Sequence, residues 1–247
     1  MKKLYVVGLG PGNQDFLTFQ ARQALLDSKI IAGYKVYISL IRDFFPEAEY
    51  FSNGMRGEKE RCLYALEKAS CGDTVSVVCS GDSAIYGMAG LVFELAGDFP
   101  EVEIEVVPGI SAALAGSAVL GSPLSSDFAV ISLSNLLTPQ NLIEKRLRCA
   151  SCSDFIICLY NPMSHGRPDT LKNACKILLE NLPEDRLCAF VRNIGRDEQE
   201  SRICTLLELK DLQLDMFCTV FIGSSKTNLI QHKNKSYLVS SRGYKIK

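Results

Sequence analysis

The sequence predicts an α/β protein made of two α/β domains in series, and three observations carry that prediction. Apolar, strand-like runs alternate with helix-like stretches along all 247 residues, the pattern of layered α/β folds. Glycine-bearing turns follow several of these runs: Gly8-Leu9-Gly10-Pro11-Gly12, Ser80-Gly81-Asp82 and Pro108-Gly109-Ile110-Ser111. The turn-forming Gly121-Ser122-Pro123 splits the alternation into two series, giving expected domains of 1–120 and 121–247.

In the first series, Leu4 to Val7 is a strand that enters the glycine loop, and a helix follows from Asp15 or Thr18 to Ser28. Lys29 to Ala32 reads as the second strand and Tyr34 to Phe45 as an amphipathic stretch with Val36, Ile38, Leu40 and Ile41 among its apolar positions. Glu58 to Ala69 reads as a helix able to turn Leu63, Ala65, Leu66 and Ala69 to a core, ending at Cys71-Gly72-Asp73. Thr74 to Cys79 is nearly apolar throughout and is therefore predicted to be a central strand. A helix is expected from Ala84 to Ala96, with Asp82 either capping it or accepting hydrogen bonds from a ligand. Val102 to Val107 is the next strand. The small residues of the helix Ala112 to Leu120 suit close approach of a neighbour or of a flat ligand.

The second series restarts with the strand Phe128 to Ser132 and a helix from Pro139 to Arg148, with Thr138 as its cap. Asp154 to Leu159 is a buried-type strand opening into the turn-rich Tyr160 to Pro168, and Lys172 to Glu180 is helical. Leu187 to Val191 opens into Arg192-Asn193-Ile194-Gly195-Arg196, Ser201 to Thr205 returns, and Phe217 to Ile222 is the last clear strand.

Composition narrows the function. The 27 lysines and arginines nearly balance 28 acidic residues, a net charge of −1, so no global basic field recruits nucleic acid. No stretch approaches the roughly 18 unbroken apolar residues of a membrane helix. Met1-Lys2-Lys3 leads straight into a strand rather than an export signal, so a cytoplasmic protein without membrane partners is expected. Among the ten cysteines, Cys79, Cys158, Cys188 and Cys218 sit in or at the ends of apolar runs, as small core hydrophobes do. Cys149-Ala150-Ser151-Cys152 is a lone CxxC without a second pair, read as structural thiols rather than a metal or redox site.

The first loop excludes two familiar ligands. A dinucleotide fingerprint needs a glycine or alanine where Asn13 stands and an acidic residue about 20 positions on, where the second run instead ends in Gly33-Tyr34. A phosphate loop needs Lys followed by Ser or Thr after its last glycine, where this chain has Asn13-Gln14. Pro11 also removes an N–H that an anion would use. The loop suits a ligand approached by bare backbone.

Longer motifs then carry a resemblance. VGLGPGNQDFLT, AGYKVYISLI, CSGDSAIYGMAG, VVPGISAALA, DFAVISLSNLLTP, LYNPMSHGRP, VRNIGRDEQES and TVFIGSS span nearly the whole chain and resemble the tetrapyrrole methylases. These are S-adenosylmethionine enzymes with two α/β domains and a cofactor cleft between them. DFAVISLSNLLTP and LYNPMSHGRP resemble the branch that methylates C17 and contracts the ring of a precorrin-3B or cobalt-precorrin-3 type tetrapyrrole in cobalamin biosynthesis.

The resemblance implies S-adenosylmethionine held by Gly81, Asp82, Ile85, Ser111, Ala112, Asn161 and Ile194, with Pro11 bordering the methyl group. It implies a tetrapyrrole lying near the first loop and the Tyr34 to Tyr37 segment, with Gly10, Lys35, Tyr37 and Arg167 as substrate-binding positions. Asp82, Ser126, Asp127 and Tyr34 are the candidates for moving protons during contraction. The family's usual Gly-His before this Asp-Phe is replaced by Ser125-Ser126, so an imidazole role passes at most to a hydroxyl. A homodimer is implied as well. Lys35, Arg42, Arg56, Arg167, Arg192 and Arg196 are either solvated charges or partners for acetate and propionate arms. His165 is read as a loop residue rather than a cobalt ligand, and no metal site is expected.

The chemistry agrees with this residue set. Attack of carbon on a sulfonium disperses charge, so a backbone and apolar pocket that aligns the reactants and excludes water supplies much of the acceleration without a protein nucleophile. Whether the substrate already carries cobalt stays open, cysteine richness leaning to the early-cobalt route. A sister methylase acting at another ring carbon, and a protein that binds a nucleotide or tetrapyrrole without turnover, are the alternatives.

Overall fold

Five strands build the first sheet, three of them buried almost end to end, as strands covered on both faces are. β1 (Lys3–Gly8), β2 (Ile30–Tyr34), β3 (Glu49–Asn53), β4 (Thr74–Cys79) and β5 (Glu103–Val107) are all parallel, in the order β3-β2-β4-β1-β5. The near-continuous apolar strand β4 is central, as expected of one buried on both faces. On one face Leu4, Val6, Ile30, Val75 and Val77 pack with Cys62, Ala65, Leu66 and Ala69 of α3 (Glu58–Ser70) and Ala89 and Val92 of α4 (Ala89–Leu95). On the other face Val7, Ile31, Val78 and Val107 meet α1 (Phe19–Leu26) and α2 (Lys35–Ile41). Each such fully buried Leu, Ile or Val contributes roughly 1.5–3 kcal/mol. In this computed structural model, which describes residues 2–164 and 166–244, the chain separates into compact units Met1–Ala112 and Ala113–Lys247.

The second unit opens with α5 (Ala112–Leu120), whose Gly116 lies so close to Phe221 and Ile194 that a Cβ there would meet the Phe221 ring at 2.9 Å. After β6 (Gly121–Ser122) come β7 (Phe128–Ser132), α6 (Gln140–Cys152), β8 (Ile156–Tyr160), α7 (Thr170–Leu178), β9 (Leu187–Arg192), β10 (Glu200–Thr205), α8 (Leu206–Lys210) and β11 (Cys218–Ile222). Their sheet, β10-β9-β11-β8-β7, is mixed: β7 and β8 are parallel, and β11 is antiparallel to both β8 and β9. One face of it packs on α6, α7 and α8 through residues such as Leu147, Leu171, Leu178 and Leu209.

Several elements differ from the sequence expectation, each for a local reason. The helix expected from Ala84 starts at Ala89, because Tyr86 adopts a left-handed φ of +56° and the intervening residues form a wide turn closed by Ala89 N–H to Ser83 O at 3.0 Å. Pro139, not Thr138, holds the N-cap position of α6, without a side-chain cap bond. Edge strand β3 and the short helix α8, the latter closed by a Thr205–Glu208 capping box, carried too little periodicity to be expected. Phe217 to Ile222 is not the end of the strands: β12 (Thr227–His232) and β13 (Lys235–Ser240) form a hairpin whose Lys233-Asn234 turn has both residues at positive φ. Cys79, Cys158, Cys188 and Cys218 are buried as expected, and burial pushes the Cys79 thiol up to about 12. Cys149 and Cys152 are exposed. Among the described residues no helix is long and apolar enough to cross a membrane.

The hairpin fastens the segment ahead of β7. β13 pairs with β6, and the buried Ser240 hydroxyl donates to Pro123 O at 2.6 Å and meets Thr227 Oγ1 at 2.7 Å, while Ser125 Oγ donates to Ser240 O. Ser240→Ala leaves Pro123 O and Thr227 without these partners. It is expected to cost about 1–3 kcal/mol in a urea melt, whereas Ser236→Ala on the exposed part of the same strand should stay within about 0.5 kcal/mol.

Candidate functional site

In the first unit, the turns after β1, β4 and β5 meet backbone to backbone. Gly10 N–H donates to Gly81 O at 3.0 Å and Gly81 N–H returns to Gly10 O at 2.8 Å, both glycines holding positive φ, +75° and +71°. A Cβ on Gly109 would lie 2.2 Å from Gly81 O and 2.7 Å from Gly8 C, so no side chain fits where the turns cross. Asp82 ties them together: Oδ1 accepts from Ala84 N–H at 2.9 Å and Ile85 N–H at 3.1 Å, and Oδ2 from Gly109 N–H at 3.0 Å. Partial burial pulls its pKa up, but the N–H groups of Gly109, Ala84, Ile85 and Ser83 outweigh that and hold the carboxyl below its ordinary value. Pro11 is buried within the first loop, Ser111 is buried in the turn before α5, and Ile85 and Tyr86 stand out, 42% and 53% exposed.

These turns lie at the carboxyl edge of a parallel sheet, where open α/β folds take their ligands. Gly8–Gly12, Ser80–Gly87 and Pro108–Ser111 together carry one carboxylate and no lysine or arginine. Such an edge suits a cationic or neutral ligand and not a phosphate. It fits a sulfonium on the chemistry of its donors and acceptors. At the end of β2, Tyr34 meets Tyr37 edge to face, with ring centroids 5.2 Å apart and planes at 84°. Lys35 is exposed at the start of α2.

In the second unit, Asn161 follows β8 at a left-handed φ of +54° and donates through Nδ2 to Ser132 Oγ at 3.0 Å. Tyr160 Oη accepts Ala113 N–H at 2.9 Å in the first turn of α5. Ile194 is buried after β9, and Arg167 reaches Leu133 O at 3.4 Å. Because β7, β8 and β9 run in one direction, Ser132, Asn161, Arg167 and Ile194 share one edge of the sheet. Ser126 and Asp127 are not brought to it: both are exposed before Phe128, the opposite end of β7, roughly 15 Å along the strand. Arg192 is paired with Asp215 at 2.7 Å and Arg42 lies over the Tyr50 ring at 5.0 Å. His165 lies outside the described residues, and among the described residues no group of three or more histidine, cysteine or acidic side chains is placed to hold a metal.

Sequence reasoning missed Gly8 and Gly109 as packing glycines, and Tyr160 and Ser132 as the groups that orient α5 and Asn161. The recurrence of glycine at the end of each strand was the available signal for the first pair. Nothing local announces the second.

The sequence matches the family model of the tetrapyrrole (corrin/porphyrin) methylases over residues 3–210. The chain belongs to the tetrapyrrole methylases. It is 39% identical, over 98% of its length and all of the relative's, to a probable cobalt-factor III C(17)-methyltransferase of Salmonella typhimurium. It is 38% identical over 99% of its length to a cobalt-factor III methyltransferase of Priestia megaterium, a longer protein of which it spans 46%. The solved structure of the methyltransferase CobJ superposes with a TM-score of 0.85 at 36% identity, covering 95% of this chain and 98% of that one.

Proposed function

We propose that this methylase transfers a methyl group from S-adenosylmethionine to C17 of a precorrin-3B or cobalt-precorrin-3 type tetrapyrrole, with ring contraction, in cobalamin biosynthesis. The observation that carries the reading is full-length identity of 39% to a relative named for that reaction. The chemistry of the first unit's edge supports the donor: crossed backbone turns, no cation and one ionised carboxylate suit a sulfonium. Both relatives named above are named for cobalt-factor III, which favours an acceptor already loaded with cobalt.

When bound, the cofactor supplies an electrophilic methyl group; the chain supplies placement. Gly81, Asp82, Ile85, Ser111 and Ala112 are its proposed contacts in the first unit and Asn161 and Ile194 in the second, with Pro11 presenting a face without an N–H beside the methyl group. Gly10, Lys35, Tyr37 and Arg167 are the proposed acceptor contacts. Asp82 acts as a positioning residue, its lone pairs being taken by three N–H groups. Tyr34 is the proposed proton-moving group of the first unit. Ser126 and Asp127, at the far edge of their sheet, take no part in this proposal. The protein is proposed to act as a cytoplasmic homodimer, testable by light scattering.

Calorimetry with S-adenosylhomocysteine is expected to show saturable binding, and incubation with cobalt-loaded and metal-free acceptors to add one methyl at C17 of the cobalt-loaded one. Methylation at another ring carbon would favour a sister methylase. Ligand binding without S-adenosylhomocysteine release would favour a binding protein.

A further inference from the structure

Arg61 is a buried charge that the reaction as described does not use. It is 3% exposed and donates to neutral acceptors: Nε and Nη2 to Asn53 Oδ1 at 3.1 and 2.7 Å and Nη2 to Gly54 O at 3.4 Å, while Nη1 approaches Met88 Sδ at 3.9 Å. These bonds tie the turn after β3 to α3, and they must be kept because a buried guanidinium left without acceptors is costly. Asn53 completes the clamp, donating from Nδ2 to Gly57 O at 2.9 Å and Glu60 Oε2 at 3.1 Å. A Cβ on Gly57 would sit 2.3 Å from Asn53 Nδ2.

Inside this clamp Arg56 is forced to a φ of +68°, a conformation disfavoured for any residue with a Cβ and tolerated where the surroundings over-determine it. Glycine would be the ordinary choice there. Arg56 and Lys59 line an open groove of about 560 Å³ whose wall is the stacked Phe51–Tyr64 pair, centroids 3.9 Å apart and planes at 13°. Glu60, which accepts from Asn53 Nδ2, and Glu67 also line it. The turn follows β3, so it stands at the same carboxyl edge of the first sheet as the crossed glycine turns, and Met88 links it to the end of the Gly81-Asp82 turn.

We propose that Arg56, assisted by Lys59 and presented by the Asn53–Arg61 clamp, binds a carboxylate arm of the tetrapyrrole acceptor. A chain of net charge −1 must meet a polycarboxylate with local cations, and an exposed guanidinium lining an aromatic-walled groove is suited to a carboxylate fork. The inference rests on the acceptor being a carboxylate-bearing tetrapyrrole, as proposed above.

The test uses the full chain, with uroporphyrin III as an octacarboxylate probe and its octamethyl ester as the uncharged counterpart, titrated by fluorescence. Arg56→Gly is expected to weaken uroporphyrin about tenfold, the scale of one charge-assisted contact, to leave the ester unchanged, and to leave S-adenosylhomocysteine affinity unchanged. Removing the left-handed strain should raise the melting temperature by about 2–4 °C, which separates lost charge from lost fold. Arg56→Lys should keep most of the uroporphyrin affinity. Uroporphyrin affinity unchanged in Arg56→Gly, an equal loss for the ester, or no uroporphyrin binding by the wild-type chain overturns the proposal. Absence of S-adenosylhomocysteine binding by the wild-type chain, with the porphyrin results as expected, overturns the donor assignment instead.

Discussion

Gly109→Ala is expected to destabilise the first unit by about 3–5 kcal/mol and to abolish saturable binding of S-adenosylhomocysteine. The added Cβ would stand 2.2 Å from Gly81 O and 2.7 Å from Gly8 C, and both obstacles are backbone, which cannot rotate away as a side chain does. Relief requires the turn after β5 to move away from the end of β1 and from the turn after β4. That breaks the Gly109 N–H bond to Asp82 and disturbs the paired Gly10–Gly81 bonds beside it. Gly90→Ala is the matched control. It lies in helix α4 with nothing within 4 Å of the added methyl, so it should stabilise by up to about 1 kcal/mol through helix propensity alone. Urea melts of the two variants beside wild type decide the matter, and a Gly109→Ala protein within about 0.5 kcal/mol of wild type would remove the crossed-turn geometry as the basis of the site. Gly81→Val is a poorer probe of the same turns. Gly81 holds a φ of +71°, so a β-branched side chain there strains the backbone whether or not a ligand is near.

What the sequence made legible follows physical range. Strands buried on both faces, such as β4, β8 and β11, write their own signature, and the runs at Thr74, Asp154 and Phe217 located them within two residues. Edge strands bury one face or less, and β3 and β12 alternate too weakly to register. The glycine turns were visible as residues, and the reach of Asp82 beyond its own turn to Gly109, 27 residues on, was not. That bond depends on β1 sitting between β4 and β5, a sheet order that local sequence does not encode. The separation of Ser126 and Asp127 from Asn161 has the same origin: strand direction sets which end of β7 faces which edge, and no spacing between motifs reports it. Pro139 at the start of α6 and the turn preceding α4 show the opposite limit. There a single dihedral, that of Tyr86 in the second case, moved a helix boundary by five residues from Ala84 to Ala89.

Asp82→Ala is expected to weaken S-adenosylmethionine binding by at least about 100-fold and to cost about 2–4 kcal/mol of stability, the value of three charge-assisted bonds discounted for the carboxylate's exposure. Asp82→Asn should lie between the two, since its carbonyl oxygen still serves Ala84 and Ile85 while its amide nitrogen meets the Gly109 N–H donor to donor. The pH dependence has a definite sign. The folded carboxyl titrates below the ordinary aspartate value of about 3.9, so its stabilisation is complete above that value and is lost as pH falls through the folded pKa. The stability gap between wild type and Asp82→Asn should therefore be constant from neutrality to about pH 5 and shrink at pH 3. A gap that widens at pH 3 would mean the carboxyl is not held ionised by these N–H groups. Comparing the two cofactor forms then separates charge from scaffold. If the ionised carboxylate also favours the sulfonium, Asp82→Asn weakens S-adenosylmethionine more than the uncharged sulfide S-adenosylhomocysteine; if it only fixes the turns, both affinities fall by the same factor.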